Sequence, residues 1–285
     1  MNDLNKGAVV ISGASRGIGE ACALHLDALG FRVFAGVRKV EDAKALQAKA
    51  SEKLTPIFLD VTNHDQIAAA SLHVKEKLGE EGLVGLVNNA GIAVAAPMEY
   101  IPIDQLRHQM EVNFIGQVAV TRAFMPLLRL GHGRIINLSS VSGKFVYPFF
   151  GAYAASKHAL EAFNDALRRE LLPWNMHVIS VEPGAIKTPI WETSLGTAND
   201  LLDHLPHKAQ ALYGQAAQRA KARAMLNGEN GAPPIEVAEV VAEALTTARP
   251  KTRYPVTRDA KRTIRLARLL PDRWVDWIIA RVFYS

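Results

Sequence analysis

Tyr153 and Lys157 stand four residues apart in the stretch GAYAASKHALEAF, residues 151–163. The apolar spacing of that stretch predicts a helix, so a phenol and an amine lie on one helix face. The plain alternative is a tyrosine packed in the core beside a lysine that keeps its ammonium in water. The chemical alternative is a proton donor: a phenol next to a positive charge can give its proton to an oxygen that is becoming an alkoxide. For the reverse direction at neutral pH the phenol must ionise. From an ordinary pKa of about 10 that needs a shift of about three units, or roughly 4 kcal/mol of differential stabilisation.

The elements around the pair set the stage for such a reaction. Short apolar, β-branched runs recur at 8–12, 32–37, 55–60, 83–88, 134–139 and 177–182, with longer helical patterns between them at 17–29, 63–79, 104–130 and 151–172. Continuous apolar strands suit a parallel sheet covered on both faces, and the intervening helices are long enough for right-handed crossovers. The expected fold is α/β, a doubly wound parallel sheet in a single domain. After PGAIKTP the pattern loosens over 189–234, a helical excursion that reads as a substrate lid with two glycine turns in NGENGAPP. A helix at 235–248, a last strand at 252–257 and two short helices split by Pro271 complete the chain as a C-terminal extension over 251–285.

SGASRGIG, residues 12–19, fills the turn after the opening strand. Gly13 allows a tight turn, Gly17 lets backbone approach a phosphate, and Gly19 permits close helix packing, while free N–H groups at the helix start face the pyrophosphate. Taken with DV at 60–61, NNAG at 88–91, VNFIG around Asn113, NLSSVSG, YAASK and PGAIKT at 183–188, this loop resembles the short-chain dehydrogenase/reductase family over about residues 6–190. The details VFAGVRK, GLVNNAGI, EAFNDALRREL and VEPGAIKT are closest in look to its branch of retinol, hydroxysteroid and hydroxybutyrate dehydrogenases. The resemblance implies a Rossmann fold and a catalytic tetrad of Asn113, Ser140, Tyr153 and Lys157. Ser139 is the adjacent alternative, with its side chain on the other side if the strand continues. The resemblance also implies a cofactor site. Gly13, Ser15, Arg16, Gly17, Ile18 and Gly19 would take the phosphates, Asp60 and Val61 the adenine, and Asn89, Ala90 and Gly91 the middle of the cofactor. Tyr153, Lys157, Pro183, Gly184, Ile186 and Thr188 would take the nicotinamide end, with Asn88 holding neighbouring backbone. Lys157 would hold the ribose, Ser140 the substrate oxygen, and Asn113 a water linking Lys157 to solvent.

An acid at the end of the second strand would pair with a free ribose 2′-OH and a cation with a 2′-phosphate. RVFAGVRK has no acid, Arg38 follows the strand, and Arg16 adds a second cation, so the cofactor reads as NADP(H) in preference to NAD(H). FVYPFF, residues 145–150, carries Phe145, Val146, Tyr147, Pro148, Phe149 and Phe150 toward Tyr153, a lining for an apolar ketone or secondary alcohol. Family likeness implies a homodimer or homotetramer joined through 104–130 and 151–172.

Composition narrows the alternatives. The 285 residues are 49% hydrophobic and 21% charged, the balance of an ordinary globular chain. The net charge of +5 sits at one end, since 251–285 holds nine Lys/Arg against three Asp, a net of +6, and the other 250 residues carry −1. With no zinc or RNA-binding pattern beside it, nucleic acid is not expected. Trp274, Trp277, Ile278 and Phe283 among arginines have the composition of a membrane-surface helix, but packing over the substrate pocket or on a subunit neighbour gives the same pattern, is commoner and is favoured here. A lone Cys22 and a start without a signal-peptide pattern predict a reducing, cytoplasmic setting.

Overall fold

The computed structural model describes residues 6–194, 196 and 206–284. Seven parallel strands form one sheet in the order β3-β2-β1-β4-β5-β6-β7. They are β1 (Ala8–Ile11), β2 (Arg32–Val37), β3 (Leu54–Phe58), β4 (Leu83–Asn88), β5 (Arg134–Leu138), β6 (Val178–Glu182) and β7 (Arg253–Pro255). Nearly every residue of the central strands is buried, because helices cover both faces and leave no face for polar alternation. One core lies under α1 (Gly17–Ala28) and α8 (Pro234–Thr246), where Cys22, Leu26, Val237 and Val241 meet Val9, Ile11 and Val33. The other lies under α3 (His64–Leu78) and α5 (Gly116–Leu130), where Val74, Val120 and Phe124 meet Val10, Phe34 and Leu86.

The strand order reverses at β1, so the loops after β1 and β4 diverge and open a crevice at the carboxyl ends of the strands, where α/β sheets bind ligands. Two parts of the fold differ from the sequence pattern. A helix α2 (Val40–Gln47) occupies the crossover from β2 to β3, where only one buried residue, Leu46, anchors it and the amphipathic signal is correspondingly weak. The helix expected over 104–130 is α4 (Ile103–Met110) and α5 joined by a π turn at Glu111–Ile115, which carries Asn113. Such π turns insert one residue into a helix and are frequent at functional sites.

α6 (Gly151–Glu170) carries Tyr153 and Lys157. Beyond β6, α7 (His207–Glu229) runs 23 residues, longer than the loose pattern implied. It continues through Asn227 and Gly228, so the first of the two expected glycine turns is helical. A side chain at Gly228 would meet the Trp191 ring at 3.1 Å, which is why glycine stands inside this helix. Residues 195 and 197–205 of the expected lid lie outside the described residues. α9 (Arg258–Leu269) and α10 (Asp272–Phe283), separated by Pro271, end the described chain.

Candidate functional site

The glycine loop enters α1 from the end of β1. Gly13 has φ 65°, a left-handed conformation, and a Cβ there would sit 2.8 Å from Ala90 Cα. A Cβ on Gly19 would sit 2.1 Å from the Gly13 carbonyl oxygen and 2.4 Å from Asn89 Nδ2, so no other residue fits. Arg16, at the N-terminal boundary of α1, makes no side-chain cap, which leaves the first N–H groups of the helix open at the loop. Open donors, the positive end of a helix dipole and a backbone stripped of side chains are what a pyrophosphate needs. The residues present therefore fit a dinucleotide.

The end of β4 locks onto this loop. Asn89 Nδ2 donates to Ser12 O at 3.0 Å and to Gly13 O at 2.8 Å, while Ser12 Oγ accepts from Asn89 N and Ala90 N. The residue that holds neighbouring backbone is thus Asn89. Asn88 instead donates to Thr121 Oγ1 at 2.8 Å and Asn137 Oδ1 at 2.7 Å inside the core, because alternation along β4 turns it the other way. Gly91 lies beside Asn113, whose Oδ1 accepts from Ile92 N at 2.9 Å and whose Nδ2 donates to Ile92 O and Ser156 Oγ. Both Nδ2 hydrogens of Asn113 and one acceptor position of its Oδ1 are thus committed to this framework. Gln109 and Gln117 repeat the pattern: Gln109 accepts from Val94 N at 2.7 Å and donates to Ile92 O, and Gln117 donates to Ala90 O. These two were not foreseen, although three amides four residues apart on one helix are a readable signal.

At the far side, Pro183 O accepts from Val141 N at 2.9 Å, Gly184 lies under Thr257 and Asp259 with no room for a side chain, and Ile186 is buried. Thr188 reaches back over the glycine loop, 3.2 Å from where a Gly17 Cβ would be. Asp60 sits half-buried after β3. Burial opposes its charge, but hydrogen bonds from Thr62 and the nearby Arg38 and His108 hold its carboxyl below the ordinary value. Arg38 is exposed just past β2, near this carboxylate, whereas Arg16 turns to Thr193 Oγ1 at 3.4 Å. The two arginines thus face different parts of the rim. Val61 is buried against Gly116, and Ser15 and Ile18 are half-buried at the loop.

Between these walls lie the candidate reacting groups. Ser140 Oγ accepts from Ser142 N at 3.1 Å and faces the Tyr153 phenol. Ser139 points the other way, toward Gly143 and Glu161. Burial pushes the Tyr153 phenol above its ordinary value and the Ser140 hydroxyl draws it partly back. Lys157 is 4% exposed, and its Nζ donates to Leu138 O at 2.7 Å, 5.7 Å from the Tyr153 ring centre. Burial lowers it to about 8, with Glu161 acting in the opposite direction. In the chain alone the phenol is therefore held toward its protonated form.

A cleft opens beside the start of α6, lined by Ala95, Ala96, Phe149 and Phe150 on one wall and by Ser194, Ala217 and Ala220 on the other. Of the six residues expected to line the approach, only Phe149 and Phe150 face this cleft. Phe145 and Tyr147 meet edge to face with ring centres 4.7 Å apart, and Val146 is exposed. Phe149 has φ 69°, a costly conformation for a bulky residue, which is offset by its ring packing on Tyr213, Ala216, Ala217, Ala220 and Phe283. Among the described residues no group of His, Cys, Asp and Glu is placed to hold a metal, and no helix is long and apolar enough to cross a membrane.

The short chain dehydrogenase family model matches residues 7–198. Retinol dehydrogenase 5 of Mus musculus is 37% identical over 283 residues, covering 96% of this chain and 89% of its own. NADPH-dependent 3-dehydrocapnine reductase of Ornithobacterium rhinotracheale is 36% identical over 282 residues, covering 97% and 95%. Among solved structures, a short chain dehydrogenase from Burkholderia cenocepacia in complex with NADP superposes with a TM-score of 0.73 at 26% identity, covering 100% of both chains.

Proposed function

Because the chain belongs to the short chain dehydrogenase family and is an oxidoreductase, we propose that it is a cytoplasmic, homo-oligomeric, NADP(H)-dependent enzyme for an apolar ketone or secondary alcohol, with Tyr153 as general acid and base. The observation that carries this reading is the Tyr153 phenol facing Ser140, with Lys157 buried one turn behind and 5.7 Å from the phenol ring centre, beside a glycine loop that fits a dinucleotide. When bound there, the cofactor supplies or accepts the hydride.

The roles follow from the chain's own groups. Ser140 and Tyr153 together offer two hydroxyls to one substrate oxygen and so fix its position. In reduction, the protonated phenol gives its proton to that oxygen. In oxidation, the phenol must first ionise, so the rate rises with pH until the phenolate is fully formed. Lys157, held by Leu138 O, favours the phenolate by its charge. The apolar walls from Phe149, Phe150 and α7 accept a hydrocarbon body and exclude water. The printed names of the relatives, a retinol dehydrogenase and an NADPH-dependent reductase, support the same class of substrate and cofactor.

A panel of ketones and secondary alcohols with NADPH or NADP, read by absorbance, tests the reading. Turnover of apolar ketones is expected, and a protein that binds NADPH but reduces none of them overturns it.

The C-terminal helix reads as a cover, because Ile279 and Phe283 pack on Phe149 and α7, and Phe283 O accepts from Arg219 Nη1 at 3.2 Å. Removing residues 272–285 is expected to raise KM and lower Tm, with neither form co-sedimenting with anionic vesicles. Trp274 is 65% exposed, so the competing outcome is specific: sedimentation of the parent and not of the shortened chain makes α10 a membrane-surface helix instead.

A further inference from the structure

One turn along α6 from Lys157 stands Glu161, and the last residue of β6, directly before Pro183 and Gly184, is Glu182, 1% exposed. Neither carboxylate has a part in the chemistry above. Glu161 Oε2 accepts from Lys144 Nζ at 2.7 Å and from Arg253 Nε at 2.9 Å, and its Oε1 accepts from Ser180 Oγ. Glu182 Oε1 lies 3.4 Å from the same Arg253 Nε and has no hydrogen-bond partner among the described residues. The other arm of Arg253 donates to Asp165 Oδ1 at 2.8 Å, so one guanidinium from β7 is spread over three carboxylates. Arg268 of α9 faces Glu182 more distantly, and Asp259 of the same helix sits against Gly184.

Two buried carboxylates that share one guanidinium cannot both ionise cheaply, and they titrate as a unit. The geometry divides the charge unequally. Burial opposes ionisation of Glu161, but Lys144 and Ser180 outweigh it and hold the carboxyl low. Burial, and then the charge of Glu161, push Glu182 up to about 7, with Lys144, Arg253 and Arg268 acting the other way. Glu161 also favours the charged form of Lys157. A chain of interacting groups therefore runs from the end of β6 through Glu161 to the lysine behind the phenol.

We propose that Glu161 and Glu182 are positioning residues of the reaction: Glu161 keeps Lys157 an ammonium, and Glu182 competes with Glu161 for the shared Arg253 Nε, so that less of the Glu161 charge is offset by the guanidinium and more of it acts on Lys157. The proposal rests on the assignment of Tyr153 and Lys157 made above. Its consequence is a lysine that keeps its charge further into the alkaline range than its burial alone allows, which is the range in which alcohol oxidation needs phenolate.

The experiment is the pH profile of kcat, from pH 6 to 10, for the best ketone and alcohol pair of the panel, in the parent and in Glu161→Gln, Glu182→Gln and Asp165→Asn. Glu182→Gln should match the parent near pH 6, where Glu182 carries its proton, and lose activity earlier on the alkaline side, by roughly half a pH unit. Glu161→Gln should move that limb further, by about one unit. Asp165→Asn, which touches Arg253 but neither Glu161 nor Glu182, should keep the parent profile. A Glu182→Gln profile that superposes on the parent, or one lowered by the same factor at every pH, overturns the proposal. Thermal unfolding of the same proteins supplies a readout independent of substrate. A carboxyl whose folded-state pKa is raised contributes stability below its unfolded value and loses it as pH climbs to about 7. The Tm of Glu182→Gln should therefore gain on the parent between pH 5 and 8, and a gap that stays flat overturns the proposal. If the parent reduces no ketone, the assignment of Tyr153 and Lys157 fails, while the unfolding series still judges the carboxylate pair.

Discussion

Tyr153→Phe is expected to bind NADPH as the parent does and to lose turnover by about 10²-fold or more, the range for removing a general acid. The substitution keeps the ring and deletes one hydroxyl, so the packing of α6 and the donation of Lys157 Nζ to Leu138 O are left in place. Two functions vanish with that hydroxyl: the proton for the substrate oxygen and the polar contact with Ser140. A fluorescence titration with NADPH separates binding from chemistry. Turnover within a few-fold of the parent would remove Tyr153 from the mechanism. A loss of NADPH binding would instead mean that the ring itself helps form the cofactor pocket. The phenol of the parent is held protonated by burial, so ketone reduction at neutral pH needs no prior ionisation, whereas alcohol oxidation should accelerate as pH rises. Tyr153→Phe should show no such acceleration, because it has no proton to lose.

Strand positions, most helix positions and the shared face of Tyr153 and Lys157 were legible because each rests on a local pattern. Buried parallel strands are continuous apolar runs, and a Tyr/Lys pair at helical spacing must share a face. What was not legible depends on direction and on distant partners. Asn88 and Asn89 are identical in type and adjacent, and only the pleat of β4 decides that one enters the core and the other grips Ser12 and Gly13. Ser139 and Ser140 present the same ambiguity at the end of β5. FVYPFF reads as a uniform apolar lining, yet Phe149 takes a left-handed backbone and Phe145 and Tyr147 meet each other edge to face, away from the cleft. The Glu161, Glu182 and Arg253 cluster joins α6, β6 and β7, and no spacing along the chain announces it. The π turn at Asn113 is likewise invisible in composition, since its register shift serves the amides that clamp residues 90–94.

Arg38→Asp is expected to reverse the cofactor preference. Arg38 follows β2 on the exposed rim beside Asp60, where a 2′-phosphate would stand, and no acid is present at the end of that strand to receive a free 2′-OH. A charged hydrogen bond contributes about 1.5 to 3 kcal/mol, so one arginine on the phosphate corresponds to roughly a 10- to 100-fold preference for NADPH in kcat/KM. Aspartate goes past neutral, because it repels the phosphate and accepts from the 2′-OH of NADH. Arg16 points elsewhere, toward Thr193 Oγ1, so Arg16→Ala should weaken the preference without reversing it. The measurement is kcat/KM for NADPH and NADH with one ketone in the parent and both variants, at low and moderate salt, since screening at an exposed site reduces a charge effect. A parent that prefers NADH, or an Arg38→Asp variant with an unchanged ratio, would leave Arg38 a solvated side chain and overturn the NADP(H) assignment. It would not touch the roles proposed for Ser140 and Tyr153 on the substrate oxygen, or for Lys157 on the phenol.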